Sequence, residues 1–168
     1  MKARNAVLCG LFAALLCLCS WLQLPLGSYR LTLQTFGIFL TLGLLGGKRG
    51  LAAIAVYCLL GVVGLPVFSG FRGGVSVLLE PFGGYIWGFL LGGFMFLLGQ
   101  KLRLSRPVRL LLALLSCYCA GTFWFSVSYG QGMPLGSLLL TCVVPYLLPD
   151  VLKLLLAELL IRRIKRYI

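Results

Sequence analysis

Charged residues are almost missing from six long stretches of this chain, at roughly 5–22, 34–47, 50–65, 80–99, 107–128 and 137–162. A run of that length and apolarity leaves lipid as its natural surroundings, and there the backbone must satisfy its own amides, which selects helices. With 61% hydrophobic and 11% charged residues in a chain of 168, the composition is too apolar for a soluble domain. The fold class expected is all-α: a polytopic membrane protein forming a bundle of six transmembrane helices, with 1–168 as a single domain. The second stretch covers only some two thirds of a ~30 Å hydrocarbon core at about 1.5 Å per residue, so tilt, thinning or the preceding loop must complete it. The last is long and carries Pro145 and Pro149, which remove ladder donors and are expected to kink its outer half.

Basic residues orient the spans. Lys2, Arg4, Lys48, Arg49, Lys101, Arg103, Arg106, Arg109, Arg162, Arg163, Lys165 and Arg166 flank alternate ends of the apolar stretches, twelve of the fifteen Lys and Arg residues. Those ends are expected in the cytoplasm, with both termini there. The opposite loops hold Arg30 and Arg72, and Lys153 lies inside the sixth span. This distribution accounts for the net charge of +12 without an anionic partner other than lipid headgroups. A nucleic-acid surface would need the cations gathered on one solvated face, and here they fall between apolar runs.

Histidine is absent, which removes the commonest general base and the commonest metal ligand. The seven cysteines lie within the spans; Cys17-Leu18-Cys19 and Cys117-Tyr118-Cys119 do not have zinc-knuckle spacing, and they read as small core residues rather than disulfides. The amino-terminal run after Lys2 and Arg4 imitates a signal peptide, but no small-residue cleavage site follows it, so a retained first span is expected. An intramembrane enzyme would want a histidine dyad, a metal cluster or paired acids, and the three acids are far apart in sequence. A pore would want polar residues through the inner half of the spans, which is nearly bare. No phosphate-binding glycine loop with Lys-Ser/Thr is present, so the chain does not hydrolyse ATP itself.

Two charges remain that need a reason. Asp150 and Lys153 lie within Pro149-Asp150-Val151-Leu152-Lys153, at membrane depth, where an ionisable group costs roughly 3 kcal/mol on insertion scales. At i and i+3 they share a helix face. They form either a self-neutralising pair or a polar patch that offers a small solute an acceptor and a cationic donor. Asp150 is 12 residues before Arg162, about 18 Å along a helix, in the outer half, so such a site would open outward. Glu158 lies four residues before Arg162 and reads as an ordinary helical ion pair.

The outer loops add candidates. Gly64 to Gly74 is glycine-rich around Arg72, suiting either turn geometry or a lid that approaches a ligand closely. Glu80-Pro81 fits a helix start with proline at the first helical position, and Gly84, Gly88 and Gly92 fit helix packing. Gln34 and Thr35 stand at the mouth of span two as neutral donor and acceptor groups. Several aromatics, Tyr85 among them, crowd this outer level as an interfacial belt, a minority available to stack on a flat ligand. In span one, Ala6, Gly10 and Ala14 make a small-residue stripe at a spacing of four, for internal packing or for docking another membrane subunit.

Taken together, Leu31-Thr32-Leu33-Gln34-Thr35-Phe36-Gly37, Gly61 with Gly64-Leu65-Pro66-Val67-Phe68-Ser69-Gly70, Gly73-Gly74 with Leu78-Leu79, Pro81 with Gly83-Gly84-Tyr85, and Pro149-Asp150-Val151-Leu152-Lys153 resemble the BioY biotin transporters over nearly the whole chain. Those are S components, the substrate-capturing subunits of energy-coupling factor (ECF) uptake systems. The resemblance implies a multi-pass protein of the bacterial plasma membrane, not an enzyme. It implies an outward-facing pocket, with biotin as transported substrate and no cofactor. It implies substrate contacts from Asp150 and Lys153, joined by Gln34, Thr35, Arg72 and Tyr85. It further implies that Ala6, Gly10 and Ala14 face an ECF transmembrane coupling subunit driven by two ATPase subunits, with self-association as the alternative. Glu80 and Phe82 depart from the family's usual glycine and threonine. Biotin carries two ureido N–H donors and a carbonyl, a terminal carboxylate and an apolar bicycle, which matches one acidic acceptor, one or two cations and an apolar wall. Thiamine or riboflavin in the same architecture is the alternative substrate.

Overall fold

The computed structural model describes residues 3–26 and 29–167; Lys2 and the side chains of Tyr29 and Arg30 lie outside the described residues. The chain runs through α1 (Ala3–Trp21), β1 (Gln23–Leu26), β2 (Tyr29–Thr32), α2 (Gln34–Leu45), α3 (Gly47–Val62), α4 (Val75–Leu79), α5 (Gly84–Lys101), α6 (Arg106–Ser128), α7 (Leu135–Cys142) and α8 (Val144–Tyr167). Helix α1 packs on α2 and α3, α3 on α5, and α2 on α8. Their buried faces meet in a core that includes Leu16, Leu42, Ile54, Tyr57, Phe96, Leu110 and Ile161.

The outer surface is apolar. Leu11, Leu59, Phe94, Leu111, Phe123 and Leu155 are all exposed, as fits a surface solvated by lipid and not by water. Helices α1 and α6 are each long and apolar enough to cross a membrane, and the bent pair α7–α8 passes as a third; α2 is a shorter apolar helix.

Glycine spacing decides the tightest helix pair. A Cβ on Gly84 would lie 2.2 Å from the Trp124 Cβ, one on Gly88 2.9 Å from the Cys117 backbone, and one on Gly92 2.9 Å from the Ala113 carbonyl. The stripe at fours on α5 thus lets its backbone sit flush on α6, as expected for small-residue packing.

Two expectations are corrected. Glu80-Pro81 does not start a helix: α4 ends at Leu79, Glu80 is extended, and α5 begins at Gly84 behind Gly83. A Cβ on Gly83 would lie 2.1 Å from the Leu78 carbonyl oxygen, so the chain turns here in a space that only glycine fits. The last span bends by 44° in its outer half, as expected, but the break is at Val143, two residues ahead of Pro145, and not at either proline. Pro145 falls in the first turn of α8, where its missing N–H costs nothing, and Pro149 is accommodated inside the helix. The short second span is preceded by an antiparallel hairpin pairing Gln23 with Thr32 and Leu24 with Leu31, which supplies the ordered structure that a 12-residue helix cannot reach alone.

Glu158, 6% exposed, accepts from Arg162 Nε at 2.8 Å and pairs with Arg106 Nε at 3.2 Å. The expected helical ion pair is therefore joined by a second arginine from α6. Arg109 lies over the Phe96 ring at 4.9 Å. These residues define the basic end of the bundle; the hairpin and the 63–74 loop define the other.

Candidate functional site

At the end opposite the basic cluster, a cavity of about 400 Å³ opens between the hairpin, the 63–74 loop, α5, α6 and α8. That is within the range of pockets that hold small ligands. The structure brings Gln34, Thr35, Arg72, Tyr85, Asp150 and Lys153 around this one space, although they come from four separate regions of sequence.

Its floor is a buried carboxylate. Asp150 is 3% exposed. Its Oδ1 accepts from Thr35 Oγ1 at 2.8 Å and from Lys153 Nζ at 2.7 Å, and its Oδ2 accepts from Tyr118 OH at 2.8 Å. Lys153 Nζ also donates to Thr35 Oγ1 at 3.2 Å. A carboxylate offers about four lone-pair sites, so with three donors in place Asp150 retains room for one more N–H or O–H. Thr35 belongs to the first turn of α2, whose positive end favours a negative charge beside it. The Asp150–Lys153 contact is an ion pair, as their spacing predicts, and both side chains also face the cavity.

Gln34 is held from behind. Its Nε2 donates to Tyr57 OH at 2.7 Å, and Tyr57 OH donates to the Val67 carbonyl at 3.2 Å. Ser20 Oγ donates to the same carbonyl at 2.5 Å. One buried chain of bonds therefore ties the mouth of α2 to the 63–74 loop. Phe68 plugs that loop into the bundle: it is 2% exposed, and a Cβ on Gly61 would lie 2.0 Å from its ring. Trp21 stacks on Phe71 at 5.0 Å and donates to the Pro66 carbonyl at 2.8 Å. Phe71 takes a positive φ of 57° to do so, a conformation uncommon for a bulky residue.

Tyr85 contributes its ring. Its hydroxyl donates to the Cys142 carbonyl, one of the acceptors left open where α7 ends, so its one O–H proton is committed within the fold. Ile86, Phe89, Val77 and Phe82 continue the apolar wall. Near the rim, Arg72 Nη1 meets Glu80 Oε2 at 2.5 Å, and both residues line the cavity. The arrangement can accept one further N–H donor at depth, enclose a flat apolar body and meet an anion with a cation near the rim. Among the described residues no group of three or more metal-ligating side chains occurs.

Tyr118, like Tyr57 behind Gln34, is a residue that reading the sequence missed. The signal was there: a tyrosine in the middle of an apolar span must find a partner for its hydroxyl, and a lone buried aspartate needs donors. Ala6, Gly10 and Ala14 are all exposed on α1, and a Cβ on Gly10 would meet nothing within 4 Å. The stripe therefore faces away from the body of the bundle, which removes internal packing as its explanation.

The chain is similar over nearly its full length to proteins named for biotin transport. The probable biotin transporter BioY of Pyrococcus horikoshii is 35% identical over 167 residues, covering 98% of both chains. The biotin transporter BioY of Rhodobacter capsulatus is 32% identical over 180 residues, covering 98% of this chain and 94% of the relative. The Thermotoga maritima biotin transporter BioY is 48% identical over 99 residues, a stretch that spans 58% of this chain and 59% of that protein. Among solved structures, the S-component for biotin from an ECF-type ABC transporter superposes with a TM-score of 0.86 at 26% identity, over 98% of this chain and 92% of that one. The BioY family profile matches residues 1–168, and with the fold and full-length relatives in agreement, this chain belongs to the BioY family.

Proposed function

We propose that this chain is a biotin transporter, not an enzyme: an S component that captures biotin in the cavity and carries it across the plasma membrane, energised by partner subunits. The observation that carries the reading is the Asp150 carboxylate, buried at the floor of a ligand-sized cavity with Lys153, Thr35 and Tyr118 bonded to it. A carboxylate with one acceptor position left suits a ureido N–H, and the apolar wall suits the bicycle. Arg72 near the rim suits the terminal carboxylate. The relatives are named for biotin and not for another vitamin, so thiamine and riboflavin are not favoured.

Residues 1–168 act in this account as one membrane domain crossing six times, through α1, α2, α3, α5, α6 and the α7–α8 pair, with both termini cytoplasmic. The concentration of arginine and lysine at one end supports that orientation. The exposed stripe of Ala6, Gly10 and Ala14 supports close approach by a coupling subunit, which two ATPases would drive. A self-associated form is the alternative use of the same face.

Uptake of labelled biotin tests the reading. A host lacking its own biotin uptake would express the chain alone or with the coupling subunit and both ATPases. Accumulation that unlabelled biotin competes away, and that thiamine and riboflavin leave intact, is the expected result. Absence of accumulation in every combination, with the protein present in the membrane, would contradict it.

A further inference from the structure

The Arg72–Glu80 pair joins two segments that are anchored independently of it. Arg72 is fixed by a backbone bridge to Phe68 and by its Nε donating to the Ser69 carbonyl at 3.3 Å. Glu80 is fixed through its main chain, whose carbonyl accepts from Trp124 Nε1 at 3.1 Å, while the neighbouring Leu79 carbonyl accepts from Tyr129 OH at 3.1 Å. The side chains meet at 2.5 Å with 44% and 40% of their surface still exposed, at a cavity that both line. Among the described residues, this is the one ion pair lining the cavity other than Asp150–Lys153.

The two cations of the cavity therefore differ. Lys153 is 12% exposed and is committed to Asp150 and Thr35 within the floor. Arg72 is reachable, but its charge already has a carboxylate. We propose that Glu80 is a specificity-determining residue, an internal stand-in for the acid group of a ligand that must be displaced from Arg72 before that group can engage it. The inference rests on the biotin reading above. A ligand ending in a carboxylate exchanges one anion for another at Arg72, gaining only the difference, and Glu80 is released to water. A ligand of the same shape ending in a neutral amide makes no such exchange. Glu80 thus lowers the preference for the free acid without weakening the grip on the bicycle.

Binding of biotin and of biotinamide, its neutral amide, to the detergent-solubilised full chain tests this in wild type, Glu80→Gln and Glu80→Ala. Neither substitution touches the backbone bonds that hold the segment. Both are expected to raise affinity for biotin about two- to fivefold, the range of an exposed ion pair, and to leave biotinamide unchanged. A merely structural role for Glu80 would move both ligands together, and that result, or a biotin affinity that does not rise, would overturn the inference while leaving the biotin reading intact. Failure of folded wild type to bind either ligand would overturn both.

Discussion

Asp150 is a charge that the protein keeps at depth by giving it donors from three helices. Each donor is a separate handle on the site. Tyr118→Phe removes the bond to Oδ2 without changing ring volume; hydrogen bonds to charged groups are worth about 1.5–3 kcal/mol, and thermal unfolding in detergent is expected to show a loss of that order. An unchanged unfolding midpoint would mean that Asp150 does not depend on Tyr118. Residues whose chemistry is out of place could be singled out from sequence, and the structure gathers them round one cavity: an aspartate and a lysine in an apolar run announce themselves, as does Arg72 in a glycine-rich loop. Reading from sequence failed for Tyr118 and Tyr57, because aromatic residues are common in spans and only three-dimensional proximity identifies the polar group each hydroxyl serves. The place of Tyr85 on the cavity wall was legible as an aromatic at the outer level, but not the engagement of its hydroxyl by the Cys142 carbonyl.

At the scale of elements, local signals located helices better than their ends. The glycine stripe on α5 foretold a close helix contact, since small residues at fours leave few other uses, and the structure makes that contact with α6. The hairpin of β1 and β2 was invisible, because Gln23 to Thr32 has no clean alternation of apolar and polar residues and its pairing is set by the ends of α1 and α2. Glu80-Pro81 carries a helix-start signature, yet tertiary contacts overrode it: Trp124 holds the Glu80 carbonyl, and the chain turns at Gly83. The 63–74 loop is ordered by the Phe68 plug against Gly61. Gly61→Ala would drive a methyl into that ring, and overpacking of this kind costs about 1–3 kcal/mol. The variant is expected to unfold at lower temperature and to be cleaved by protease within 63–74 under conditions where wild type resists. Equal resistance would show that the plug is not what orders the loop.

The whole molecule is polarised between its two ends. One end gathers arginine and lysine around Glu158, and the other builds the cavity, so the basic face and the cavity do not share residues. If the basic end is cytoplasmic, fluorescent protein fused after the last residue is expected to fluoresce, and alkaline phosphatase fused after Gly74 to be active. Inactive phosphatase at that position would reverse the orientation. The broad fold class was legible because six apolar stretches leave a chain few choices, and so was a bend in the outer half of the last; its exact position at Val143 and the hairpin were not, since both depend on how helices meet.

The most direct test of the account is equilibrium binding of labelled biotin to the purified, detergent-solubilised chain, with Asp150→Asn and Lys153→Met beside it and thermal unfolding as the check on folding. The account predicts that wild type binds and that each folded variant binds at least about 30-fold more weakly, since truncating one partner of a buried charge pair costs 2 kcal/mol or more. Folded variants that bind as wild type does would contradict it.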